Sequence, residues 1–161
     1  MDQWINESRA EAVQGGVSIT ARDKTDLFAP LDGGEVVHSA SIYYQEVEGD
    51  CVIQAKAAMS PHNKYDGAGL ILYGDERHWV KGCLEVVDNG RTAAISVVTN
   101  GVSDDAIGPY VDRESIWLKI ARKGNDFAAF FSLDGKSFDL IRFCHVPMGQ
   151  KIKAGLVAQA P

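Results

Sequence analysis

At 161 residues, 45% of them hydrophobic and 24% charged, the chain has the makings of one domain with its own core and no need of staples. Its 16 Lys and Arg are scattered and outnumbered by 22 Asp and Glu, for a net charge of -6. Phosphate backbones and anionic membranes are held by clustered basic residues, so neither nucleic acid nor a membrane surface is an expected partner.

The chain opens Met1-Asp2-Gln3-Trp4-Ile5-Asn6-Glu7, without the basic region and apolar run of a secretory signal. No stretch approaches the ~20 apolar residues of a membrane helix, and a cytoplasmic location is the expectation. Residues 7–13 are the one place where a short helix is expected. Period-two strands follow: 51–59, then 67–73 after the turn-rich Ser60-Pro61-His62-Asn63-Lys64, then 78–87. Asn89-Gly90 supplies the positive φ angles of a hairpin turn into a strand at 92–100. Strands at 115–121 and 126–132 flank a Gly124-Asn125 turn, and Asp134-Gly135 leads into another at 138–143. Evenly spaced strands joined by tight turns predict one all-β domain over residues 1–161, an antiparallel sandwich or barrel.

Cys51, Cys83 and Cys144 are odd in number, far apart and set in apolar strands, which reads as reduced thiols. No pair has metal-ligand spacing, and His38, His62, His78 and His145 stand alone, so no metal is expected. Ser103-Asp104-Asp105 and Asp88-Asn89 are oxygen-rich enough for calcium, but turn chemistry accounts for them equally. There is no phosphate loop, nucleophile elbow or His-Glu-x-x-His, and no cofactor is expected.

Alternation places Val80, Leu84 and Val86 toward the core and Trp79, Lys81, Cys83 and Glu85 on the opposite face. In the strand after Ser115, Ile116, Leu118 and Ile120 face inward, leaving Trp117 and Lys119 outside. The same outer face is expected to gain Ser96 and Asn100, Tyr73 from the strand before, and Phe130 from the strand after, with Asp66 at a strand end. Indole rings stack on the apolar faces of sugar rings, while Lys, Glu and Asn hydrogen-bond the hydroxyls around them. Trp79, Lys81, Glu85, Trp117, Lys119, Tyr73, Asp66 and Asn100 are therefore the candidate ligand-binding residues. Gly67 and Gly69 read as room for a bulky neighbour such as Trp79. Glycoside hydrolysis needs two carboxyls at a set separation, and Glu85 is the lone catalytic candidate, with Lys81 its expected structural partner; the reading leans away from catalysis.

The run Lys64-Tyr65-Asp66-Gly67-Ala68-Gly69-Leu70, then Asp75-Glu76 and Trp79-Val80-Lys81-Gly82-x-x-Glu85, carries a resemblance, with Val97-Val98-Thr99-Asn100 and Ser103-Asp104. Trp4-x-Asn6-Glu7, Thr25-Asp26-Leu27-Phe28, Gly49-Asp50, Trp117-Leu118-Lys119 and the run 131–138 fit it as well. Together they resemble a bacterial and fungal domain-of-unknown-function family that includes the yeast regulation-of-enolase protein, within the concanavalin A-like lectin and glucanase superfamily.

The resemblance implies a jelly-roll sandwich with a concave and a convex sheet. Related domains accompany carbohydrate-degrading enzymes, which favours a sugar on the concave side. The alternatives are a sugar-metabolising enzyme using Glu85 and a regulatory protein-interaction domain with a flat apolar patch. Two departures stand out. The family has tryptophan where this chain has Asp105, and relatives continue past the strand matching 152–158 into a further one. Without it an open sheet edge is expected, covered by the N-terminal segment or by a second copy in a homodimer.

Overall fold

The computed structural model describes residues 3–161. Every regular element among them is a strand: β1 (Gln3–Ile5), β2 (Ala10–Val13), β3 (Gly16–Ile19), β4 (Leu27–Phe28), β5 (Val37–His38), β6 (Ser41–Glu48), β7 (Cys51–Ala58) and β8 (Gly67–Asp75). There follow β9 (His78–Val86), β10 (Thr92–Asn100), β11 (Val102–Tyr110), β12 (Ser115–Lys123), β13 (Asp126–Ser132), β14 (Asp139–His145) and β15 (Lys151–Gln159). The expected helix at 7–13 is replaced by the β2–β3 hairpin, which turns through Gly15 at φ +76. About two helical turns running up to two glycines have too few hydrogen bonds to repay nucleation, whereas the hairpin uses those glycines in its turn.

Two antiparallel sheets form the sandwich. One has seven strands in the order β1-β6-β15-β8-β9-β10-β11, and the other four, β14-β13-β12-β7. Leu70, Leu72, Val80 and Leu84 of the larger sheet meet Ile116, Leu118, Ile120, Phe127 and Phe131 of the smaller, as alternation predicts. The last strand itself borders no open edge. β15 runs through the middle of the larger sheet, paired to β6 on one side and β8 on the other.

A strap over residues 20–40 crosses the outer face of the seven-stranded sheet. Thr25 exchanges backbone hydrogen bonds with Ala160 at one end, 3.0 and 3.1 Å. At the other end Ala29 N donates to Ser103 Oγ, 2.9 Å, and Ser103 N to Ala29 O, 2.8 Å. Asn6 Nδ2 ties the returning segment by donating to the carbonyls of His38 and Ala40, both at 3.0 Å. Leu27, Ala29 and Ala40 then pack on Ile42, Ile71, Tyr73 and Trp79 in a second core outside the sandwich proper.

Tyr73 Oη and His38 Nε2 lie 2.9 Å apart under this strap. Burial, opposed in part by Glu76, pulls His38 below its usual 6.5. A histidine whose folded pKa is depressed contributes stability that is complete above the unfolded pKa and is lost as the pH falls through the folded one. Hydrogen-exchange protection over residues 26–40 is expected to fall between about pH 7.5 and pH 5.5, after correction for intrinsic rates. In His38→Gln the two values of pH should give the same protection.

Candidate functional site

The outer face of β9 has the parity expected of it. Trp79, Lys81, Cys83 and Glu85 all point away from the four-stranded sheet, on the side the family resemblance expects to be concave. Trp79, however, is closed to solvent at 0% exposure. Its indole lies parallel to Tyr73, centroids 6.4 Å apart, beneath Leu27 and Ala29, and among the described residues its Nε1 has no hydrogen-bond partner. The expected stacking platform at Trp79 and Tyr73 is thus taken up by the strap.

Trp117 and Lys119 belong elsewhere altogether. They sit on β12 and face outward from the four-stranded sheet, so the two indoles point in opposite directions from the sandwich. Lys119 Nζ lies between the rings of Phe130 and Phe138, 4.6 and 4.1 Å from their centroids. Gly135, at φ +73, rests so close to Trp117 that a Cβ there would stand 2.7 Å from the indole. Asn100 ends β10 opposite His78, seven residues along the strand from the Ala93–Glu85 pair and so about 23 Å away. Ser96 faces the sandwich interior, with the parity of Ala94 and Val98, while Ile95 and Val97 take the outer side. Asp66 closes the other end of β8, next to Gly67.

What remains on the outer face is a polar cluster sunk in an apolar surround. Lys81 is 2% exposed, and its ammonium donates to Gln159 Oε1 at 2.7 Å. Gln159 Nε2 in turn donates to Tyr65 O at 3.2 Å, which fixes the amide. Asp105 shares a cross-strand row with Val97 and Lys81 and contributes a further carboxylate there. Asp26 reaches in from the strap. Burial works to lower the pKa of Lys81, but Cys83, Glu85, Asp26 and Asp105 outweigh it and hold the ammonium above its usual value. Burial raises Glu85 above the ordinary carboxylate range, with Lys81 opposing. Asp105 is raised the same way, and the Cys83 thiol is raised well above its ordinary value by burial and by Glu85.

Glycines make the floor. A Cβ on Gly67 would stand 3.3 Å from Glu85 Oε2, and one on Gly69 only 2.1 Å from Gly82 O. Glu85 and the β9 backbone occupy the space the sequence reading gave to Trp79. Among the described residues Lys81 forms no ion pair with Glu85, Asp26 or Asp105, and the Glu85 side chain accepts instead from Cys83 Sγ at 3.3 Å. The expected Lys81–Glu85 contact is therefore an interaction through space, not a closed pair. Asp26 and Gln159 went unread in the sequence because each arrives from a distant segment, and Asp105 because it was read as a turn residue.

The sequence matches the family described as "Protein of unknown function (DUF1349)" over residues 4–161. It is 26% identical over 160 residues to "Regulation of enolase protein 1" of Saccharomyces cerevisiae, covering 98% of this chain and 80% of that protein. The crystal structure of a functionally unknown protein from Saccharomyces cerevisiae superposes with a TM-score of 0.90 at 26% identity, over 99% of this chain and 86% of that one. Carbohydrate-binding module CBM66 from Bacillus subtilis shares the fold, with a TM-score of 0.59 at 12% identity over 99% of this chain and 89% of that chain.

Proposed function

This chain belongs to that family of unknown function, and we propose that it is a non-catalytic module binding a neutral sugar or small polyol against Lys81 and Glu85 on the outer face of its larger sheet. The observation that carries the reading is the buried Lys81 ammonium, which among the described residues is hydrogen-bonded to a neutral amide and joined in no ion pair. A buried charge kept for stability is normally closed by a partner in contact, since desolvation outweighs Coulomb attraction at longer range. Perturbed titratable groups gathered in one place without such closure are a recurring feature of binding sites.

The charge balance selects the ligand. One ammonium faces the carboxyls of Asp26, Glu85 and Asp105, so an anionic ligand such as a sugar phosphate meets net repulsion. A polyol can accept from Lys81 and donate to the carboxylates at once, which is how hydroxyl-rich ligands are held in binding modules. Solvent already reaches Asp26 and Asp105, which form the rim of the site.

Calorimetric titration of a panel of neutral mono- and oligosaccharides tests this. One member of the panel is expected to bind saturably, and Lys81→Met and Glu85→Gln should each weaken it about tenfold or more while leaving the fold intact by circular dichroism. Binding unchanged in both variants, or a preference for phosphorylated sugars over neutral ones, would overturn the assignment.

A second reading rests on the opposite sheet. Val52, Ala121, Ala128 and Phe143 form an unbroken apolar row across β7, β12, β13 and β14, with Leu140 in the next row. Val52 is 63% exposed and Phe143 69%. A flat apolar strip of this kind suits contact with another protein and would serve a regulatory domain.

A further inference from the structure

At the Asp66 end of the sandwich the smaller sheet stops at β7, while the larger continues through β15 toward β6 and β1. The step between them leaves a cavity of about 580 Å³, flanked by the β2–β3 hairpin and the loop 59–63. Its volume falls in the range of small-molecule sites. Ala57 and Met59 line one wall and Leu70 and Leu156 the other, giving the cavity apolar patches among polar neighbours such as Ser18 and Thr20.

Asp66 interrupts that surface. It lines the cavity at 8% exposure. Its Oδ2 accepts from the backbone N–H groups of His62 and Asn63 at 2.7 and 2.9 Å, an arrangement that locks the carboxylate in place. Its Oδ1 is buried and accepts from nothing among the described residues. Among the described residues no Lys, Arg or His pairs with it. Asp23 and Glu114 also line the cavity. The one basic side chain on its walls besides His62 is Lys56, whose alternation with the inward Ala55 and Ala57 sends it to the outside, across from Trp117.

A fixed, buried carboxylate oxygen lacking a donor is unfavourable, and a donor that is itself charged offsets the loss most. A cavity with apolar patches, one such oxygen and two further carboxylates on its lining suits a cation carried on an apolar body. We infer that this cavity is a second binding site, distinct from the Lys81 cluster, and that it takes a small molecule with a protonated amine on an apolar body. The ammonium would donate to Asp66 Oδ1, with Asp23 and Glu114 adding attraction at longer range. The apolar body would lie along Ala57, Met59 and Leu156. An arginine-like guanidinium fits less well, because its two-pronged grip needs both carboxylate oxygens and Oδ2 is already engaged.

The test compares benzylammonium with benzyl alcohol, which has the same apolar body and no charge, by titration calorimetry and amide chemical-shift mapping. The amine should bind saturably with shifts at residues 55–59, 62–70 and 156–159, and the alcohol about tenfold or more weaker. Asp66→Asn keeps an oxygen for the His62 and Asn63 N–H groups, so the loop should hold; amine affinity should drop about tenfold or more. Ala57→Leu fills the cavity from the opposite wall without touching Asp66 and should also abolish binding. No saturable binding by the wild type, equal affinity for amine and alcohol, or full affinity in both variants would each overturn the inference.

Discussion

Trp79→Ala is expected to lower the unfolding free energy by about 3–5 kcal/mol, the range for removing a large buried aromatic without refilling its space. The indole is among the largest fully buried side chains of the molecule, at 0% exposure, and it supports the strap through Leu27 and Ala29 on one side and Tyr73 on the other. Trp79→Phe should cost far less. The Nε1–H has no acceptor, so phenylalanine removes a buried orphan donor together with part of the ring. Urea unfolding of the two variants measures the difference, and hydrogen exchange over residues 26–40 measures the strap. A Trp79→Ala protein within about 1 kcal/mol of the wild type would show that the indole is not a packing element. It would also reopen a ligand-stacking role for Trp79. Trp79→Phe as damaging as the alanine variant would mean that the indole N–H makes a contact important to the fold.

This variant pair bears on how much the sequence could show. Alternation in β9 placed Trp79, Lys81 and Glu85 on the right side of the sheet, but a period of two says which residues share a face, not what covers it. The cover is the strap, whose strands β4 and β5 have two residues each. Elements that short leave no periodic trace, and the strap holds through distant pairs such as Ala29 with Ser103 and Thr25 with Ala160. The wrong assignment in β10 has a different cause. Ala93, Ile95 and Val97 are buried against the outer side while Ala94 and Val98 are buried in the sandwich, so the strand is apolar on both faces. Alternation has no contrast to work with in such a strand. Ser96 then looked like an outward residue, although it is buried between the sheets with an unpartnered hydroxyl.

The candidate site divides along the same line. Lys81 and Glu85 were legible because they interrupt an otherwise apolar strand at the same parity. Asp26 and Gln159 join them from 55 or more positions away in sequence (from Lys81, 55 residues back and 78 forward), and only the fold brings them together. Trp117 failed for a topological reason. Reading 78–87, 92–100 and 115–121 as one meander put β12 in the same sheet as β9. The chain in fact inserts β11 as the edge of the larger sheet and then crosses to the smaller one. That edge strand carries Gly108 and Pro109, residues that lower strand propensity and hid it from the sequence reading.

Arg122 gives the second large effect. It is 4% exposed, and its guanidinium donates to four carbonyls: Nε to Gly124 O at 2.7 Å, Nη1 to Gln150 O at 3.2 Å, and Nη2 to Met148 O and Gly149 O at 3.3 and 2.6 Å. Three of those acceptors lie in the segment 148–150 that turns the chain into β15, so one side chain of the smaller sheet sets where an interior strand of the larger sheet begins. Arg122→Ala should cost about 3 kcal/mol, since it removes four charge-assisted hydrogen bonds at once, which water replaces only in part at the exposed Gly124, Gly149 and Gln150. Arg122→Lys should cost about 2 kcal/mol, because a compact ammonium cannot span acceptors that a planar five-donor fork reaches together. Against a total stability of about 5–15 kcal/mol either loss is readily measured by chemical denaturation. Hydrogen exchange should localise the loosening to residues 148–152 before the rest of β15. Arg122→Lys behaving as the wild type would mean that the charge alone matters there. Arg122→Ala within about 1 kcal/mol would mean that the segment is held by its own backbone, and that the guanidinium is a passenger.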